Sequence, residues 1–123
     1  MSNNSSQSFT FVSRTAPYGS NRPQLCLDAA LAAAVFEQKV NYVFLNDGVY
    51  QLLKHQDAEA INTKTLGNAL ETLDLYGIEN VYVCKDSLAQ RALTADDLVI
   101  KAIHIASDEL KTILAESDSV FNL

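Results

Sequence analysis

The chain has no tryptophan, one methionine, four glycines, two prolines, two histidines and two cysteines in 123 residues. Two cysteines make no disulfide framework, and a chain of this length can bury a core without one. Cys26, Cys84, His55 and His104 form no CxxC, HxxxH or CxxH pair, so a metal site finds no support. Basic residues are scarce as well. Nine stand against fifteen acidic ones, for a net charge of −6. Residues 1–61 carry four basic and five acidic side chains (−1), and residues 62–123 five and ten (−5). No basic stripe exists to neutralise a phosphate backbone, which disfavours direct binding to nucleic acid. The longest apolar run, Ala29–Phe36, falls far short of the ~18 residues that cross a membrane. A basic region followed by an apolar stretch, the mark of a secretory signal, is missing too. These absences point to the cytoplasm and to free thiols.

What is present is ordinary globular material: 48% of residues are apolar and 20% charged, which argues against disorder of the whole chain. Residues 1–8 begin with a polar tract (Ser2–Ser8) that reads as a flexible leader, and residues 9–123 read as one domain without linker or repeat. Phe9–Ser13 is strand-like and enters a loop punctuated by Pro17, Gly19 and Pro23. Gln24–Gln38 then takes a helical period, with Leu27, Leu31, Ala34 and Val35 on one face. Asn41–Leu45 is a second strand, closed by the turn signal Asn46-Asp47-Gly48. A short helix fits Val49–Lys54 and a longer one Lys64–Tyr76, ended by Gly77. Val81–Cys84 is a third strand and Ser87–Ala92 a short helix. Val99–Ile105 is a fourth strand. Ser107 caps a last helix with Leu110, Ile113 and Leu114 facing inward, and Ser119–Leu123 closes as a fifth strand. Alternating strands and helices predict an α/β fold, a mostly parallel sheet covered on both faces.

Active sites of such sheets lie beyond the carboxyl ends of the strands. Here those positions are the Arg14–Pro23 loop, the Asn46–Gly48 turn and the Cys84–Ser87 junction. Cys84 is the most informative residue. It ends an apolar strand where a helix begins, and a helix N-terminus favours the nucleophilic thiolate form. Lys85 and Arg91 add positive charge there and Asp86 opposes it; the competing reading is a small buried residue. Cys26, at the entry of the first long helix, reads as structural. His55 reads as solvated and His104 as a hydrogen-bonded strand residue. The Arg14–Pro23 loop lacks GxGxxG and a P-loop ending; Arg14 or Arg22 could hold a small anion, and the favoured reading is a conformationally restricted loop that packs on a neighbour. Val49, Tyr50, Leu52 and Leu53 serve either an interface or the domain's own core.

Several segments together resemble the TusC/DsrF proteins. They are Thr15-Ala16-Pro17-Tyr18-Gly19, Asp47-Gly48-Val49-Tyr50-Gln51-Leu52-Leu53, Leu75-Tyr76-Gly77-Ile78-Glu79, and Val83-Cys84 with Ser87-Leu88 and Arg91. The ending Ser117-Asp118-Ser119-Val120 to Leu123 fits as well, so order and spacing agree over nearly the whole chain beyond the leader. The resemblance implies a small flavodoxin-like (DsrE-like) domain with a five-stranded sheet and no cofactor. It implies assembly with TusB- and TusD-like subunits into a heterohexamer. That complex takes persulfide sulfur from TusA and passes it to TusE, towards 2-thiouridine at the tRNA wobble position. DsrE, DsrF and DsrH form the matching complex in sulfur oxidation. In this family the sulfur-carrying cysteine belongs to the TusD/DsrE subunit, in a pattern of Cys followed by Arg-Gly seven and eight residues on. Cys84 and Arg91 match that pattern, but Ala92 replaces the glycine, which weakens the case for a carrier role. The implied role is therefore accessory, without independent enzymatic activity. Cys84 is the catalytic candidate should the chain carry sulfur itself.

Overall fold

β-branched and aromatic residues fill the apolar runs, and these runs pair side by side. In a computed structural model, which describes residues 7–16, 19–53, 72–98 and 100–123, they form β1 (Ser8–Ser13), β2 (Lys39–Phe44), β3 (Asn80–Cys84), β4 (Ile103–Ile105) and β5 (Ser119–Asn122). The spatial order is β4-β3-β2-β1-β5, and all four neighbouring pairs are parallel. Parallel neighbours need crossover connections: α1 (Arg22–Val35) lies in that from β1 to β2 and α2 (Lys85–Gln90) in that from β3 to β4, while α3 (Ser107–Glu116) leads from β4 on one edge to β5 on the other.

Side chains alternate across a strand, so the sheet has two faces. One carries Phe11, Tyr42, Phe44, Val81 and Val83, packed with Cys26, Leu27, Ala30 and Ala33 of α1 into the main core. Burying a residue such as Leu27 in full stabilises the fold by roughly 1.5–3 kcal/mol. On the same face the Phe121 ring of β5 stacks on Phe11, 5.0 Å between centroids, and meets Phe9 edge-on at 5.9 Å. The opposite face carries Thr10, Val12, Val43 and Cys84. Ser117, directly after α3, bonds Thr10 through paired hydroxyls and so fastens that helix to the second face. Leu110, Ile113 and Leu114 of α3 are half-buried, as their spacing predicts.

Several boundaries differ from those expected, among them α1, which spans Arg22–Val35 and not Gln24–Gln38, and β2, which spans Lys39–Phe44 and not Asn41–Leu45. α2 starts at Lys85 instead of Ser87, because Cys84 itself takes the N-cap position. β4 is shorter than Val99–Ile105. Its pairing with β3 spans only Tyr82–Cys84, and Leu98 makes an isolated antiparallel bridge to Leu53 instead. The short helix expected from Val49 is a 3-10 helix over Asn46–Leu52, begun three residues earlier by the Asn46-Asp47-Gly48 turn. The cap of α3 is Ala106, whose N–H donates to Glu109 Oε1 at 3.0 Å, while Ser107 donates its hydroxyl to Asp86. Of the helix expected over Lys64–Tyr76, residues 64–71 lie outside the described part, as does His55. Its described end is a 3-10 turn, Asp74–Tyr76, closed by Gly77 at φ 79° with Ile78 N–H bonded to Leu73 O at 3.0 Å. Among the described residues no helix is long and apolar enough to cross a membrane.

Candidate functional site

The carboxyl ends of β1, β2 and β3 are drawn together by the 3-10 helix Asn46–Leu52. Its Gly48 touches the end of β1 so closely that a Cβ there would lie 2.0 Å from the Ser13 carbonyl oxygen. Gln51, fully buried, donates from Nε2 to Ser13 Oγ at 2.7 Å and to the Thr15 carbonyl at 2.8 Å. Val49 and Leu52 are fully buried in the domain's own core, and Tyr50 and Leu53 are half-buried. Val49 and Leu52 therefore fill the domain's own core, while Tyr50 and Leu53 keep part of their surface outside it.

The same helix is clamped to α2. Asn46 N–H donates to Ser87 Oγ at 2.9 Å, and Arg91 donates from Nε and Nη2 to Asp47 Oδ1 at 3.2 and 2.9 Å. Arg91 Nη1 also donates to the Ser87 carbonyl at 3.1 Å, and the guanidinium lies 5.8 Å from the centroid of the Tyr50 ring. The pair is unevenly exposed, 17% for Arg91 and 58% for Asp47. Arg91, expected from the sequence to add positive charge near Cys84, is held to Asp47 and the Ser87 carbonyl.

Cys84 occupies the N-cap of α2, at φ −75° and ψ 122°, and is 4% exposed. It pairs with Ile105 on β4 and shares the second sheet face with that buried residue. The helix it opens is only six residues long and carries Asp86 in its first turn. Only a small part of this residue is open to an incoming donor.

Ala92 explains itself in this geometry. It sits at φ 55° directly after α2, with Leu93 N–H bonded to Leu88 O at 3.0 Å. That is the left-handed C-terminal position where glycine is favoured. Alanine at this position carries local backbone strain, at the opposite end of α2 from Cys84.

Cys26 is fully buried beside Tyr42 and Ser13, as a structural cysteine would be. Burial raises the Cys26 thiol pKa, against the lowering influence of Tyr42 and Ser13. Burial likewise raises Tyr42 well above its ordinary value, with Cys26 adding to the shift. The Tyr42 hydroxyl lies near enough to feel both neighbours but outside hydrogen-bond geometry. This cluster was not anticipated: Tyr42 looked like one more apolar strand residue. His104 is half-buried on β4, and its ring makes no hydrogen bond among the described residues, contrary to expectation. Among those residues no group of three or more histidine, cysteine or acidic side chains is placed to hold a metal.

Comparisons with known proteins agree on one relationship. Residues 7–123 match the model of the DsrE/DsrF-like family. A TusC homolog of Pasteurella multocida is 42% identical over 89% of this chain and 94% of its own. One from Vibrio parahaemolyticus is 39% identical over 92% and 96%. The intracellular sulfur oxidation protein DsrF of Allochromatium vinosum is 37% identical over 93% and 94%. Among solved structures, the ychN protein from E. coli superposes with a TM-score of 0.78 over 95% of this chain and 99% of its own, at 23% identity, which attests the fold. The chain therefore belongs to the DsrE/DsrF-like family of sulfur-relay proteins, on its TusC/DsrF branch.

Proposed function

We propose that this chain is an accessory subunit of a cytoplasmic sulfur-relay complex of the TusBCD/DsrEFH type. It assembles with TusB- and TusD-like subunits, and the complex moves persulfide sulfur from a TusA-like donor to a TusE-like acceptor, towards wobble 2-thiouridine. The observation that carries this reading is the full-length similarity to TusC homologs, combined with a Cys84 sealed in the fold. A role in assembly is also consistent with large apolar side chains left in solvent. Phe36 at the end of α1 is 74% exposed and Leu75 is 83% exposed, on a turn that packs against α1.

The second reading makes Cys84 a carrier, favoured by its place at the carboxyl end of a central parallel strand. The Cys84 thiolate would attack the terminal sulfur of a donor persulfide. A new S–S bond forms on Cys84 as the donor's S–S bond breaks, and the donor leaves as thiolate, so no oxidant is consumed. The similarity to DsrF also keeps the corresponding role in sulfur oxidation in view.

Complementation separates these readings. In a strain lacking this chain, 2-thiouridine in tRNA should vanish and return to wild-type levels with Cys84→Ser. A Cys84→Ser protein that assembles normally yet leaves the tRNA unthiolated would overturn the accessory role.

A further inference from the structure

Two arginines stand without an acidic partner at one rim of the sheet. Arg14 follows β1 and Arg22 opens α1, and both line a cleft of about 500 Å³. Thr15, Asn46, Asp47 and Asn122 contribute to its walls, at the carboxyl ends of β1, β2 and β5. Neither guanidinium makes an ion pair or a side-chain hydrogen bond among the described residues. Asp47 is the one acidic side chain among the described lining residues, and its Oδ1 is already held by Arg91 at 2.9 Å. Leu123 also lines the cleft, its oxygen accepting from Arg14 N–H at 3.3 Å and from Thr15 Oγ1 at 3.0 Å, while the two guanidiniums stay without a carboxylate partner among the described residues.

The surroundings reinforce them. α1 begins at Arg22 with no acidic residue in its first turn to offset the positive end of its dipole, although the Arg22 N–H already donates to Ser20 Oγ at 3.0 Å. The side-chain amides of Asn46 and Asn122 offer further donors. No aromatic ring stands among the described lining residues.

We propose that this cleft is a binding site for a doubly charged tetrahedral oxyanion, of the phosphate or thiosulfate kind. Arginine presents its donors in a planar fork that matches such a group, and the volume leaves room for a small organic body attached to it. This site is separate from Cys84 and does not depend on whether Cys84 carries sulfur.

Titration of the full chain with inorganic phosphate and with thiosulfate tests the site. Amide shifts are read by NMR at low salt, against sodium chloride at matched ionic strength. Saturable shifts are expected at Arg14, Thr15, Arg22 and Asn46. Arg14→Gln or Arg22→Gln should each weaken binding by about ten- to a hundredfold, the scale of one charge-assisted hydrogen bond, and the double variant should abolish saturation. Replacing both by lysine should cost less than replacing both by glutamine, because the charge remains while the fork is lost. Tighter binding of thiosulfate would make the ligand a sulfur oxyanion, and equal binding would make the tetrahedral group itself the determinant. Both arginines are exposed, so the variants should keep the wild-type spectrum away from the cleft. Shifts that never saturate, that chloride reproduces, or that persist in the folded double glutamine variant would overturn the proposal.

Discussion

Gly48→Ala should be among the most damaging small substitutions outside the main core, and for a steric reason. An added methyl would lie 2.0 Å from the Ser13 carbonyl oxygen, 2.8 Å from the Ser13 carbonyl carbon and 3.2 Å from Arg14 Cα. All three are backbone atoms, so no side chain can rotate away. Relief requires the 3-10 helix to retreat from β1 by roughly 1 Å, the distance from a 2.0 Å overlap to a tight contact near 3 Å. That movement strains Leu45 N–H to Ser13 O (3.1 Å) and Gln51 Nε2 to Ser13 Oγ (2.7 Å). Overpacking costs about 1–3 kcal/mol and each weakened hydrogen bond up to about 0.5–1.5, so a loss of roughly 2–6 kcal/mol is expected. Gly77→Ala is the matched control. Gly77 has φ 79° but nothing within 4 Å of an added Cβ, so it should lose only about 1 kcal/mol, from backbone strain. Asparagine should partly rescue position 77, where it tolerates the left-handed region, and should not rescue position 48. Urea unfolding of the four variants measures this. Equal losses at both positions, or a Gly48→Ala cost below about 0.5 kcal/mol, would refute the close-approach argument.

Ala92→Gly should stabilise the protein by about 0.5–1 kcal/mol, by relieving the left-handed alanine at the end of α2; thermal unfolding would show it. Stability should fall above about pH 9. The unfolded Cys26 thiol ionises near 9.0 while burial keeps the folded one protonated, so the favourable contribution is complete below that pH and lost as pH rises. Cys26→Ala should reduce that alkaline slope in pH-dependent denaturation, and an unchanged slope would contradict the assignment. A double-mutant cycle of Asp47→Asn and Arg91→Gln should give a coupling below about 1 kcal/mol, since one partner is largely in water.

The strands and the turn glycines were legible because their signals are local. Alternating apolar residues marked β1, β2 and β3, and Gly77 marked the end of a helix. Side-chain destinations were not local. Val49 and Leu52 carried the same pattern whether they filled a core or an interface, and only the approach of Gly48 to β1 decides for the core. Arg91 is seven residues from Cys84 along the chain, but its partner Asp47 lies across the sheet in another connection, beyond the reach of sequence spacing. The Cys26–Tyr42 proximity is of the same kind, a helix residue meeting a strand residue through the core. The resemblance to TusC/DsrF proteins supplied the family, and the match over residues 7–123 bears it out.

The most direct test of an accessory role is intact mass spectrometry of the assembled complex after loading with sulfane sulfur, comparing wild type with Cys84→Ser. Added sulfur should appear on the TusD-like partner alone and be unaffected by Cys84→Ser. A sulfur adduct on this chain that disappears in the Cys84→Ser complex would contradict the accessory role and make Cys84 a carrier.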